Sequence, residues 1–301
     1  MKIDLDKVQS RHFEKDAVRA RILRDFGVAE VPVDVRDFVR LLIDALKQPV
    51  AAQPLAQVLT NVEVFRAAVW ALGSNSRNWC DFVSKEGRLR NLVEQYDPLA
   101  TIRSLERHPQ ILNDIKLCLK GQTSSRDTEN ILRWAHILSQ NGNFYTEIVR
   151  VGQKFRHDYS AFNDETIDDF DLSLCMVAHF ADKSCSRGTK FPGMSYALAS
   201  EFFKNLGWSC FKPDRHIKRL FDRWFAHQPG NLTNEKRLRG LETMILGGRQ
   251  SAELRIFLRY SMLGKAVSPV GSIFSQVDNM VWLLGKYIER KGQETSTLYV
   301  C

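Results

Sequence analysis

Two short stretches of this 301-residue chain carry residue types that can hold a phosphodiester and act on a sugar. The first is Phe191-Pro192-Gly193-Met194-Ser195-Tyr196-Ala197, with Lys190 immediately before it. A Pro-Gly turn that opens a helix leaves unpaired backbone N–H groups and the positive end of the helix dipole facing outward, a seat for a phosphate oxygen. Glycine at the turn admits a sugar–phosphate backbone closely, because no side chain stands in the way. Such a grip holds nucleic acid by its backbone and reads no sequence. The same residues also suit an ordinary corner between two helices, with proline near a first helical turn.

The second stretch is Lys212-Pro213-Asp214-Arg215-His216, running on through Ile217, Lys218 and Arg219. Pro213 keeps the following helix from extending backward, and Asp214 stands where an N-cap belongs. An anion fixed at that place can stabilise positive charge developing on a sugar ring and orient an attacking water, which is what cleavage of a glycosidic bond requires. Capping and chemistry are compatible roles for one carboxylate.

The elements that must position these residues read as helices. Met194, Ala197, Leu198, Phe202 and Leu206 share one helical face behind the turn, and Ile217, Leu220, Phe221 and Trp224 share another behind Asp214. Apolar residues recur at three- and four-residue spacing over 6–26 and 34–47. Asn61 is the expected cap of the helix that follows it, Ser84 of the next, and Ser124 or Ser125 of a third. The acidic run 163–171 marks a helix start, and Gly247-Gly248 a helix end. Further helices are expected within 234–248, 251–263 and 272–292, and sustained strand alternation is absent. The class is all-α. Residues 50–57 read as a linker, 182–193 and 226–233 as loops, and 291–297 as a polar tail.

Bulk properties restrict the partners. Lys and Arg number 43 against 35 acids, a net charge of +8. Between Lys204 and Arg259 there are twelve basic residues and five acidic ones, so nearly all of the excess sits behind the two motifs and suits a polyanion. Cys80, Cys118, Cys175, Cys185, Cys210 and Cys301 show no metal-ligand spacing and are expected as reduced thiols, with no metal bound. No apolar run reaches membrane-spanning length, and the start of the chain resembles neither a secretory signal nor a transit peptide. A cytoplasmic, nucleoid-associated location is expected, or a nuclear one in a eukaryotic cell.

Together the two motifs resemble the helix-hairpin-helix DNA glycosylase superfamily, which includes endonuclease III, the adenine glycosylase and the alkylbase glycosylases. Its signature runs roughly LPGxGxxTA, an apolar helix, then VDTHxxR. Here FPGMSYALA, ALASEFFKNLGW and KPDRHIKR match it over about a tenth of the chain. The resemblance implies a two-lobed helical fold with a DNA-binding cleft. Residues 1–60 with 226–301 would form one lobe, and 61–225 the other, carrying the hairpin (about 182–207) and the aspartate segment (212–225). Asp214 would be the catalytic aspartate. Lys190, Gly193, Ser195, Ala197, Lys212 and Arg219 would line the DNA phosphates.

Departures from the signature refine what it implies. Ser195 replaces the second hairpin glycine yet still offers a backbone N–H. Ala197 stands where bifunctional members carry the Schiff-base lysine, which implies a monofunctional hydrolase that leaves an abasic site. The iron–sulfur cysteines are missing behind Asp214, so no cofactor is expected. The family also places a wedge loop upstream that fills the gap left by a flipped base. Residues 65–79 resemble it, with Asn75 or Arg77 at the tip, and 137–145 is a rival. Tyr196, beside the hairpin, is the preferred aromatic for stacking on the base, ahead of Trp70, Trp79, Trp134, Tyr145 and Trp208.

The expected partner is double-stranded DNA, bound by a monomer. The implied substrates are alkylated or deaminated bases, or a hypermodified base of phage DNA. Two other readings stay open. One is a DNA-binding module that keeps the hairpin and lacks the chemistry, and the other is a helical scaffold for RNA or protein.

Overall fold

The structure is a computed structural model that describes residues 40, 58–75, 77–163, 166–182, 190–225, 235–269, 274, 276–279, 281 and 282. The helix expected over 6–26, all of 34–47 but Arg40, the linker 50–57, the loop 226–233, residues 183–189 and the tail 291–297 lie outside them. The described residues form helices and contain no strand. No helix among them is long and apolar enough to cross a membrane.

Among the described residues, 58–210 pack with 243–249 as one compact unit, and 211–242 pack with 250–282 as another. The first opens with α1 (Asn61–Ala71), followed by α2 (Trp79–Ser84), α3 (Glu86–Leu92), α4 (Pro98–Arg107) and α5 (Ile111–Leu119). α6 (Ser124–Gln140), α7 (Phe144–Asn163), α8 (Asp169–Ala181) and α9 (Tyr196–Asn205) complete it. α8 is largely apolar and central, with residues 170–180 all buried, Asp171, Ser173 and His179 among them. It begins where the acidic run predicts: the Asp168 side chain accepts from Asp171 N–H at 2.8 Å. α9 lies against both α8 and α1, and the Asn205 amide donates to the Ala67 carbonyl at 3.1 Å.

Three caps differ from expectation. Thr60, not Asn61, caps α1, through a capping box with Glu63. The Asn61 side chain instead donates to the Leu138 and Gly142 carbonyls at 2.9 and 2.7 Å and accepts from Phe144 N–H at 2.8 Å. Ser84 belongs to α2 and donates to the Asp81 carbonyl, so α3 starts behind Lys85 with no side-chain cap. α6 starts behind Thr123, whose hydroxyl turns to the Asp127 carboxylate at 2.7 Å.

α3 and α4 are separated by a left-handed turn in which Glu94, Gln95 and Tyr96 have φ of 48°, 56° and 66°. Each costs about 1–2 kcal/mol for an L-residue. A half-buried relay anchors the turn: the Trp70 indole donates to the Tyr96 hydroxyl at 3.1 Å, which donates to Glu86 at 2.8 Å. Burial and the Glu86 carboxylate together push the Tyr96 phenol well above its ordinary pKa.

The second unit contains α10 (Arg215–Phe225), the first part of α11 (Glu235–Leu246) and α12 (Ala252–Val267). Residues 211–225 pack here rather than with the hairpin-bearing segment, which corrects the lobe boundary expected at 225. The cause is local. Phe211 stacks on Phe221 at 6.0 Å and 7°, and its ring fills the space where Gly264 has no side chain. The Lys212 N–H donates to the buried Asp278 carboxylate at 2.8 Å. α11 ends at Gly247 and Gly248, with φ of 62° and 87°, as the glycine pair predicts.

Candidate functional site

The hairpin turn is mounted on an aromatic stack. Phe191, 1% exposed, lies between Phe144 (4.9 Å, 8° between planes) and Trp134 (5.8 Å, 24°). The Trp134 indole N–H donates to the Pro192 carbonyl at 2.8 Å, fixing the turn to α6. Gly193 follows with φ of +79°, and a Cβ there would sit 2.4 Å from the Asn130 amide atoms. Its lack of a side chain is thus required from inside the protein as well as by the turn. Gly193 and Ser195 are exposed.

Ser195 caps α9, its hydroxyl accepting from Leu198 N–H at 3.3 Å. The first intrahelical bond runs from Ala199 N–H to the Ser195 carbonyl, at 2.8 Å. Ala197, half-buried, therefore carries an N–H with no intrahelical acceptor at the positive end of the helix. Met194, Leu198, Phe202 and Leu206 point into the core, as their spacing predicts. Asp182 ties the entry of the preceding loop to its exit. Lys190 Nζ donates to its carbonyl and the Tyr196 hydroxyl to its carboxylate, each at 2.7 Å.

Asp214 caps α10. Its Oδ1 accepts from His216 N–H at 2.8 Å and from Ile217 N–H at 3.0 Å, and its carbonyl accepts from Lys218 N–H at 2.9 Å. Both side-chain bonds go to one oxygen; no hydrogen bond to Oδ2 is made among the described residues. The residue is half-buried, whereas Pro213 before it and Ile217 after it are buried. Arg215 and Arg219 stand exposed on the first two turns. Lys218 places its ammonium 5.8 Å from the Tyr260 ring centroid, and the Tyr260 hydroxyl donates to Asp222, one helical turn on. Burial, then the Asp222 carboxylate, push the Tyr260 phenol up to about 12. Lys212, in contrast, is buried at 8% exposure, too deep for the phosphate contact expected of it.

The wedge expected at Asn75 and Arg77 also requires correction. The Arg77 side chain is 4% exposed and pairs with Asp127 at 2.6 Å. The Asn75 amide donates to the same carboxylate at 3.0 Å, and Thr123 donates to it at 2.7 Å. These groups spend their hydrogen bonds holding the end of α1 to the start of α6, and none forms an exposed tip. Trp79 stacks on Phe82 at 5.8 Å, meets Trp70 edge-on at 6.0 Å and covers Gly73. Trp134, Tyr145 and Trp208 are core residues. The rival loop is different, since Gln140, Asn141, Gly142 and Asn143 are all exposed. It is hydrogen-bonded by the Asn61 side chain and runs straight into Phe144 of the stack beneath the hairpin.

Asn61, Asp127 and Asn130 were not singled out from the sequence as site residues. An aspartate four residues behind a threonine at a helix start is the one local signal that pointed to Asp127. Comparison with protein-family models, with curated proteins and with solved structures gives no match.

Proposed function

We propose that this chain is a monofunctional DNA N-glycosylase, which flips a damaged or modified base out of duplex DNA and hydrolyses its bond to deoxyribose, leaving an abasic site. The observation that carries the reading is the Asp214 carboxylate: Oδ1 is locked by two amides, while Oδ2 accepts no bond among the described residues. A carboxylate held in that way is a preorganised anion for an oxocarbenium-like sugar and for the incoming water. In the hydrolysis the bond from the sugar C1′ to the base breaks with its electron pair going to the base, water forms the new C1′–O bond, and the proton the water gives up ends on the departing base.

The turn at Gly193 to Ala197 supports the reading through its exposed apex and the helix N–H groups behind it, which suit a phosphate. Arg219, exposed on α10, and Lys190 add positive charge. Residues 140–143 take the wedge role. The substrate classes are those of the superfamily, alkylated, deaminated or hypermodified bases. Duplex oligonucleotides bearing a panel of such bases, or phage genomic DNA, would be incubated with the protein and developed with alkali. Strand breaks that disappear in Asp214→Asn are expected. Full activity in that variant would refute the role of Asp214.

One pair of observations favours a second reading, a DNA-binding module without chemistry. Gly193 is required by Asn130, and Asp214 by α10, so each motif already has a structural use. That reading expects salt-dependent duplex binding and no abasic product from any substrate.

A further inference from the structure

We propose that the outer face of α4 is a self-association surface whose occupant is the same face of a second copy of this chain. α4 buries Pro98, Thr101 and Leu105 and packs on α6. Along its outer side runs a groove of about 400 Å³ lined by Glu94, Asp97, Leu99, Ala100, Arg103 and Arg107, among others. Charge is sorted along it, with the two acids at the start, the two arginines at the end, and Leu99 (45% exposed) and Ala100 between. No ion pair among the described residues engages Glu94, Asp97, Arg103 or Arg107. Asp97 Oδ1 caps the helix through Ala100 N–H.

A face that is acidic at one end and basic at the other complements itself when two copies run antiparallel about a two-fold axis. Ala100 marks where that axis would cross. Asp97 and Arg103 lie three residues to either side of it, and Glu94 and Arg107 lie six and seven residues away. Asp97 of one copy then meets Arg103 of the other at one level along the helix, and Glu94, in the turn ahead of α4, faces the end of the partner helix that carries Arg107. A small residue at the crossing lets the helix axes approach to about 8 Å. Leu99 supplies apolar area beside it. The order and spacing of charge thus specify the occupant, since an arbitrary helix would have to reproduce both. A contact of one ten-residue helix falls in the small class of interfaces, below about 1,200 Å², and is therefore weak and sensitive to salt. The monomer expected from the motifs is then the dilute form.

Sedimentation velocity of the full chain at low salt, from about 1 to 200 µM, tests this, with association expected at tens of micromolar, roughly, for an interface of this class. Arg107→Glu alone and Glu94→Arg alone should each weaken association about fivefold, as like charges replace two symmetry-related pairs. An equimolar mixture of the two variants should associate as tightly as the wild type, because every substituted position then faces a charge opposite to its own. Far-UV circular dichroism checks that both variants are folded. A wild type that stays monomeric over the whole range would overturn the proposal. So would variants that associate like the wild type, or a mixture no tighter than either variant alone.

Discussion

The Asn130 side chain occupies the space that a Cβ at Gly193 would need, with amide atoms 2.4 Å from the ideal position. Asn130 is 3% exposed and has little room to retreat. Gly193→Ala is therefore expected to destabilise the protein by about 2–3 kcal/mol, from the left-handed φ together with overpacking. Adding Asn130→Ala should recover the overpacking share and leave the backbone share. Urea denaturation of the single and double variants measures both, and a Gly193→Ala protein as stable as the wild type would contradict this account of the turn.

Asp214 has a structural role separable from chemistry. Asparagine caps a helix nearly as well as aspartate, so Asp214→Asn should cost only a few tenths of a kcal/mol, roughly, whereas Asp214→Ala should cost about 1 kcal/mol. The glycosylase reading expects both variants to lose at least about 100-fold in rate. Activity lost in both variants although Asp214→Asn keeps nearly wild-type stability is the signature of the charge. Activity that tracks stability across the two variants would point to the cap alone.

The pair of Arg77 with Asp127 is buried on both sides, with side chains 4% and 1% exposed. Removing only the cation strands a buried carboxylate, so Arg77→Met should destabilise by about 3–5 kcal/mol. Asp127→Asn in the same chain should return a large part of that loss. A thermal scan of the double-mutant cycle decides it, and strictly additive losses would mean that the two side chains do not act on one another.

Tyr260 predicts behaviour at alkaline pH. Its ordinary pKa of 10.0 is raised to about 12 by burial and by the Asp222 carboxylate. Above pH 10 the unfolded chain has lost this proton while the folded one retains it. The stabilisation is full below about pH 10 and is lost as pH rises through about 12. Tyr260→Phe should flatten part of that decline, and absorbance near 295 nm, roughly the tyrosinate band, should show one fewer late-titrating tyrosine. An unchanged alkaline slope in Tyr260→Phe would remove Tyr260 from the explanation.

What could be read from the sequence was what acts over a few residues. The start of α8 at Asp168, the glycine stop of α11 and the cap at Asp214 all rest on partners within four positions. The placement of Arg77 is not legible locally, because its partner lies 50 residues on and a polar loop looks the same whether its arginine faces water or a buried carboxylate. Asn61 looks like a cap in the sequence because the groups it bonds lie 77 to 83 residues away. The assignment of residues 211–225 to the unit of α12 rests on Phe211 meeting Gly264, and neither side of that contact has any local signature.

The Phe144, Phe191 and Trp134 rings have a bearing on any duplex that meets the turn above them. The turn is seated on the hydrophobic interior by that stack, so on the proposed glycosylase reading the burden of adaptation would fall on the DNA. Stretches that kink or unstack with least effort, such as mispaired or chemically altered steps, would be held in preference to sound helix before any base is inspected.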